Sequence, residues 1–211
     1  MTKHQKKLII FCAHLDDFEL SCLGFLFRHS LEYSDIHLFV ASYHDYKDEV
    51  TKQNLIHISS VLNKDIKYTN LYQKSRYLYS NIDSLKECFY NEINFKEHFD
   101  ILTHSKNDLH TDHIACANIA NGLYKYCKRY VEFYSPSSKN FDPNYFISLS
   151  QDQFNVKSSS YQKYDIMKDD SFTKIGYYFN DHWNIGKSYV MENFVAYDSE
   201  YYEIYRITKW I

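Results

Sequence analysis

Histidine and aspartate side chains cluster in two short stretches that lie far apart in the sequence. The first, FCAHLDDFELSCLG (11–24), has a histidine three residues before the second of two adjacent aspartates. The second, HSKNDLHTDH (104–113), ends in two histidines three residues apart. The candidate residues are His14, Asp16, Asp17, His110, Asp112 and His113. Two histidines and one carboxylate with an open position for water form a catalytic zinc site, whereas closed structural sites are rich in cysteine. Another carboxylate beside the metal could accept a proton from bound water, whose pKa zinc lowers to about 7.

Each cluster alone also has a simpler interpretation. Asp16 or Asp17 could cap the helix that follows, and Asp112 could cap the helix predicted at 113–129. A single histidine near the end of a strand is usually an ordinary surface or hydrogen-bonded residue. Two such clusters, each at the carboxyl end of a predicted strand, favour a shared site over these alternatives.

Alternating apolar runs and helical patterns predict the elements that position the clusters. Strands are predicted at 7–13, 36–42, 65–70, 99–104, 130–134 and 203–208, and helices at 18–30, 47–62, 84–99, 113–129, 157–170 and 183–196. This β-α-β-α order predicts an α/β, Rossmann-like, mostly parallel sheet with helices on both faces, in a single domain over 1–211. Ligands of such sheets bind at the carboxyl ends of the strands, where both clusters lie. The chain has only 4 Gly and no G-x-G-x-x-G after the first strand, which argues against a dinucleotide site.

Composition excludes several classes of protein. A formal net charge of −3 gives no basic footprint for nucleic acid. The apolar run after Lys7 is too short for a signal peptide, and no segment reaches the length of a membrane-spanning helix. Five scattered cysteines without a C-x-x-C pair indicate free thiols in a reducing compartment. We therefore expect a cytoplasmic protein without a membrane anchor and without a nucleic-acid partner.

The two clusters also resemble known signatures. AHLDDFELSCLG (13–24) resembles the AHPDDE-x-x-x-x-G signature of the PIG-L/LmbE-like family of zinc-dependent sugar N-deacetylases, and HTDH (110–113) resembles its H-P-D-H. The stretch EFYSPSSKNFDPNYFISLS (132–150) is similar to the family's E-x-Y-x-P and F-x-P-x-x-[FYV] segments. Lys157 and Tyr161 match a common K…Y helix, and YVMENF (189–194) resembles a late Y-x-E-x-F stretch. The resemblance covers most of the chain.

The resemblance implies a role for each candidate residue. His14, Asp17 and His113 become the ligands of Zn²⁺, although Fe²⁺ or another divalent ion suits the same ligand types. Asp16 becomes the general base that activates the bound water and later hands the proton to the departing amine. His110 would stabilise the oxyanion or assist as an acid, and Asp112 would orient a histidine.

This sequence departs from the family pattern near the expected substrate. Phe18 stands where the family usually has Glu, so it is either an aromatic contact for a sugar or a core residue of the helix at 18–30. ASYHDYKDE (41–49) replaces a T-D-G turn, which makes His44 a candidate substrate contact. In the degenerate R-x-x-E helix Lys52 is the nearest cation, and Asn54 lies about where the Glu would be. Phe18, His44 and Lys52 are therefore the predicted substrate-binding residues.

The expected activity is metal-dependent hydrolysis of an N-acetyl group from an amino sugar. The substrate is a small molecule such as a nucleotide sugar or a glycoside. Two alternatives stay open: hydrolysis of a different N-acyl or non-sugar amide, and a sugar-binding protein that keeps the fold without turnover.

Overall fold

The computed structural model describes residues 6–166 and 201–210. The strands are β1 (Lys7–Cys12), β2 (Asp35–Ser42), β3 (Ile66–Gln73), β4 (Phe99–His104), β5 (Arg129–Phe133), β6 (Tyr145–Leu149) and β7 (Tyr201–Trp210). The α-helices are α1 (Asp17–Ser21), α2 (Leu23–His29), α3 (Asp45–Leu62), α4 (Ile82–Asn91), α5 (Thr111–Asn121) and α6 (Gln151–Ile166). Within these ranges, no helix is both long enough and apolar enough to cross a bilayer.

The strands form one seven-stranded sheet in the order β3-β2-β1-β4-β5-β7-β6. The five strands from β3 to β5 pair in parallel, and β7 pairs antiparallel to both β5 and β6. The predicted α/β class with a mostly parallel sheet is confirmed. That the whole of 1–211 forms a single domain stays a prediction.

Two apolar cores lie on opposite faces of the sheet. Alternate residues of β1 point to each side: Leu8 and Ile10 join one core, whereas Ile9 and Phe11 join the other. Residues of α1, α2, α3 and α6 pack into the first core, and residues of α4 and α5 into the second. The near-continuous apolar run of β1 is the pattern expected of a strand buried on both faces.

Several predicted boundaries were wrong. The helix predicted at 113–129 ends at Asn121 with Gly122 as its C-cap, and a Cβ at Gly122 would lie 2.0 Å from the Tyr90 hydroxyl. The helix predicted at 84–99 ends at Asn91, and the one predicted at 157–170 begins earlier, at Gln151. Strand β6 was not predicted, since it is short and follows a stretch rich in Ser, Asn and Asp. The helix predicted at 183–196 lies outside the described residues.

Candidate active site

The two clusters meet where the strand order of the sheet reverses. β1 lies between β2 and β4, so the loops after β1 and after β4 leave the sheet side by side in opposite directions. His14 and Asp17 follow β1, and His113 lies in α5 after β4. This reversal is the position at which open α/β sheets form a ligand crevice.

Three side chains from these loops bring ligand atoms to the distances that a bound metal requires. His14 Nδ1 lies 3.2 Å from His113 Nε2. The Asp17 carboxylate lies 3.4 Å from that His14 atom and 3.5 Å from that His113 atom. Ligand bonds of about 2.0–2.1 Å at tetrahedral angles separate neighbouring ligand atoms by about 3.3 Å. The trio therefore fits a divalent ion by distance as well as by chemistry.

Buried carboxylates hold both histidines in the tautomer that a metal needs. His14 Nε2 lies 3.2 Å from Asp112 Oδ2, and His113 Nδ1 lies 3.2 Å from Asp108 Oδ2. Because an ionised carboxylate only accepts hydrogen bonds, these ring nitrogens are the ones that carry protons. The lone pairs of His14 Nδ1 and His113 Nε2 are then left to face each other. Such carboxylate–histidine pairs commonly support metal ligands.

The electrostatic field of the site attracts positive charge. Burial lowers the pKa of His14, but hydrogen bonds to Asp112 and Asp17 outweigh it and raise this pKa to about 10. For Asp108, burial is likewise outweighed by its hydrogen bonds with His113, Ser135 and Ser137, so its pKa lies well below the ordinary value. Because this field stabilises a positive charge at the His14 ring, it also favours a divalent cation that takes the place of the Nδ1 proton.

Two other histidines lie close enough to extend the cluster. Groups of possible ligands are His14, His110 and His113, and Asp17, His104 and His113. His104, which was not among the predicted site residues, stacks on His113 with ring centroids 4.0 Å apart. Its Nε2 accepts the Ala13 N–H at 3.0 Å, and burial lowers its pKa to about 4, so this nitrogen is already occupied. His110 Nδ1 likewise accepts the Asp112 N–H, as the N-cap of α5. The sets that use these two rings are thus less suited to a metal than His14, Asp17 and His113.

Asp16 lies at the cavity beside the candidate metal ligands. It occupies the N-cap position of α1, but its side chain makes no capping hydrogen bond. Its Oδ2 instead pairs with Lys47 Nζ at 2.5 Å. Burial lowers the pKa of Lys47, and the charge of Asp16 more than reverses this, so the pKa is raised. The capping alternative therefore does not explain the position of the Asp16 side chain.

A cavity of about 480 Å³ opens onto these residues. Its lining includes His14, Asp16, Ser42, Tyr43, His44, Tyr46, Lys47, Arg76 and His110. His44, one of the predicted substrate-binding residues, therefore lines this cavity. Neither Lys47 nor Arg76 was singled out in the sequence, since cations at the start of a helix or in a loop follow no recognisable pattern.

The other two predicted substrate contacts lie elsewhere. Phe18 is fully buried in the core formed with α2 and α3, so its interpretation as a core residue is the one that agrees with the structure. Lys52 pairs with Asp48 at 2.7 Å and lines a different groove, near the start of β2 and β3. Lys52 is five residues beyond Lys47, or about 140° further around α3. Neither Phe18 nor Lys52 therefore lines the cavity beside His14 and Asp16.

Solved structures with the same architecture were found by comparison of the whole fold. N,N'-diacetylchitobiose deacetylase from Pyrococcus horikoshii matches with a TM-score of 0.66 and 12% identity, over 98% of this chain and 85% of that one. A deacetylase of the teicoplanin biosynthetic pathway matches with a TM-score of 0.69 and 14% identity, over 95% and 97%. The 4-carboxy-2-hydroxymuconate hydratase GalB from Pseudomonas putida matches with a TM-score of 0.61 and 13% identity, over 97% and 96%.

Comparisons by sequence found no relatives: no protein-family model matches the chain, and the search of curated proteins found no match. At identities of 12–14% the structural matches establish the architecture, and one of these matches is a hydratase. The chain has the fold of the PIG-L/LmbE-type deacetylases.

Proposed function

We propose that this protein is a metal-dependent N-deacetylase that hydrolyses the N-acetyl group of an amino sugar. The observation that carries the proposal is the convergence of His14 Nδ1, His113 Nε2 and the Asp17 carboxylate within 3.2–3.5 Å of one another. Deacetylases among the structural neighbours support the same reaction class.

His14, Asp17 and His113 would hold a divalent ion, for which we propose Zn²⁺. When bound, such an ion acidifies a water molecule and polarises the acyl carbonyl. Asp16 is the general base in this proposal, because it lines the cavity and is not one of the three ligands. It takes the proton from the attacking water and delivers it to the amine that leaves. Lys47, 2.5 Å from Asp16, holds the carboxylate in place.

His110 lines the cavity together with His14 and Asp16. Its ring stacks on His113 with centroids 4.6 Å apart and meets the His14 ring edge-on at 4.7 Å. A donor in this position can stabilise negative charge as it develops on the carbonyl oxygen. Asp112 acts through His14, whose ring it orients.

The substrate in this proposal is a small N-acetylated sugar, and the reaction takes place in the cytoplasm. All five cysteines are free thiols and four are buried, as suits a reducing compartment. The alternatives are amide hydrolysis on another N-acyl compound and a binding protein without turnover. GalB, a hydratase, has the same architecture, so the assay must detect amine release itself.

Metal analysis and amine release on the same preparations test the proposal. We expect about one divalent ion per chain and release of a primary amine from at least one N-acetylated sugar in a panel of free, phosphorylated and nucleotide-linked sugars. Asp16→Asn should keep the metal and lose about 10²–10⁴ in turnover. Asp17→Asn and His113→Ala should instead lose metal.

His57→Ala is the matched control, since His57 is an exposed histidine of α3. It should retain both metal and turnover. Full metal retention in both His14→Ala and His113→Ala would refute the site. Fully loaded protein that releases no amine from any sugar would refute the reaction.

A further inference from the structure

The end of β3 and the loop after it, which reaches the cavity, contain two residues in an uncommon backbone conformation. Tyr72 and Arg76, neither of them glycine, have φ values of 55° and 69°. Left-handed conformations of such residues persist where surrounding contacts impose them, and they are frequent at ligand sites. Arg76 lines the cavity together with Ser75.

Asp112 imposes this conformation from the protein interior. Its Oδ2 accepts the Arg76 N–H at 2.5 Å and its Oδ1 accepts the Leu78 N–H at 3.1 Å. The same fully buried carboxylate also meets His14 Nε2. One side chain thus fixes the position of Arg76 relative to the candidate metal ligand.

Within the described ranges, the charges around the cavity leave one cation without a partner. Among the described residues, Asp16 is the only carboxylate that lines the cavity, and it is paired with Lys47. The Arg76 side chain makes no hydrogen bond or ion pair with any residue in the described ranges. An exposed arginine held by its backbone at the rim of a cavity suits a planar anion, which its guanidinium binds through two parallel hydrogen bonds.

We propose that Arg76 binds an anionic group of the substrate, so that the preferred substrate is an N-acetylated sugar bearing a carboxylate or a phosphate. This inference rests on the proposed deacetylase function and names its substrate class. The acyl group lies at His14, Asp16 and His110 while the anion lies at Arg76. A cavity of about 480 Å³ has room for a single sugar ring with one such substituent.

The test compares three N-acetylated sugars that differ in charge. They are N-acetylglucosamine 1-phosphate, N-acetylmuramic acid as the carboxylate, and the neutral methyl glycoside of N-acetylglucosamine. For the wild-type protein we expect kcat/KM for at least one charged sugar to exceed that for the neutral one by about 10–100-fold, mostly through KM. Whether the phosphate or the carboxylate sugar has the lower KM identifies the anion.

Arg76→Gln keeps the backbone N–H that Asp112 binds and removes the guanidinium group together with its charge. It should reduce the ratio of kcat/KM between charged and neutral sugars to near one, and Arg76→Lys should restore part of it. Lys74→Gln is the matched control: Lys74 lies over the Tyr77 ring, is not among the residues that line the cavity, and should leave the ratio as in the wild type.

A binding measurement separates this inference from the deacetylase function. Metal-loaded protein with Asp16→Asn, which blocks turnover, allows the Kd of the charged sugar to be measured by calorimetry. Adding Arg76→Gln should raise this Kd by the same factor by which it raises KM in the active protein. Binding that depends on Arg76 without amine release by the wild type would refute the deacetylase and keep the anion site. Amine release with an unchanged charge preference in Arg76→Gln, or with no preference in the wild type, would overturn the inference about Arg76.

Discussion

Replacing the buried carboxyl group of Glu19 should change how the stability of the protein depends on pH. Glu19 is fully buried in α1, and its Oε1 accepts hydrogen bonds from Asn54 Nδ2 and the Tyr164 hydroxyl, both at 2.8 Å. Its Oε2 has no partner among the described residues. Burial raises the pKa of Glu19 from 4.5 to about 8, and the bonds from Asn54 and Tyr164 only partly oppose this. The folded protein therefore keeps a proton on Glu19 at neutral pH, whereas the unfolded chain releases it.

The sign and size of the change in stability with pH follow from the difference in Glu19 protonation between the folded and unfolded states. Because the folded state binds the extra proton, Glu19 contributes stability fully below about pH 4.5, and this contribution is lost as the pH rises toward 8. One proton of difference changes the free energy of unfolding by about 1.4 kcal/mol per pH unit. Between pH 5.5 and pH 7.5 the loss is thus on the order of 2 kcal/mol.

Glu19→Gln keeps an acceptor for Asn54 and Tyr164 and removes the titration. We expect the free energy of unfolding of the variant to rise relative to the wild type by about 2 kcal/mol from pH 5.5 to pH 7.5. Urea unfolding followed by circular dichroism, in EDTA so that one metal state is compared, measures this. Glu87→Gln, which changes an exposed carboxylate of α4, is the control and should not alter the pH trend. Parallel trends for wild type and Glu19→Gln would show that Glu19 is not held protonated by burial.

Two further substitutions test the core and the support of the site. Phe18→Ala should cost about 3–5 kcal/mol of stability in urea unfolding, because Phe18 is fully buried, and a normally stable variant would contradict its place in the core. Asp108→Asn should weaken metal affinity by about 10–100-fold in competition with a chromophoric chelator, because Asp108 holds the tautomer of His113. An unchanged affinity would show that this carboxylate does not support the metal.

Much of the candidate site could be predicted because it depends on where strands end. His14 and Asp17 follow β1 directly, His113 follows β4, and parallel strands bring their carboxyl ends to one edge. Lys47 could not be predicted in the same way, because its role depends on the rotation of α3 about its axis. The resemblance pointed instead to Lys52, as the nearest cation in the degenerate R-x-x-E helix, and the rotation of α3 places Lys52 at a different groove.

Contacts between distant segments were the part that sequence patterns could not supply. Asn54 lies about where the family pattern has Glu, and its side chain donates a hydrogen bond to Glu19 inside the protein. Arg76 lies in a loop with no motif, and its position depends on Asp112, 36 residues away. Neither pairing follows any periodicity, because each joins side chains from separate elements.

The position of β7 inside the sheet has a consequence for the order of folding. During synthesis β1 to β5 can pair as they emerge, whereas β7, the one strand that pairs with β6 in the described part of the chain, comes last and lies between β6 and β5. The buried Lys157 ammonium of α6 must also wait for its partner Glu203 on β7. Until then β6 presents open backbone groups and α6 carries an unpaired cation, a state open to proteases and to pairing with other chains. The candidate active site lies on β1 and β4, away from this late-forming end, so its supporting strands can assemble first.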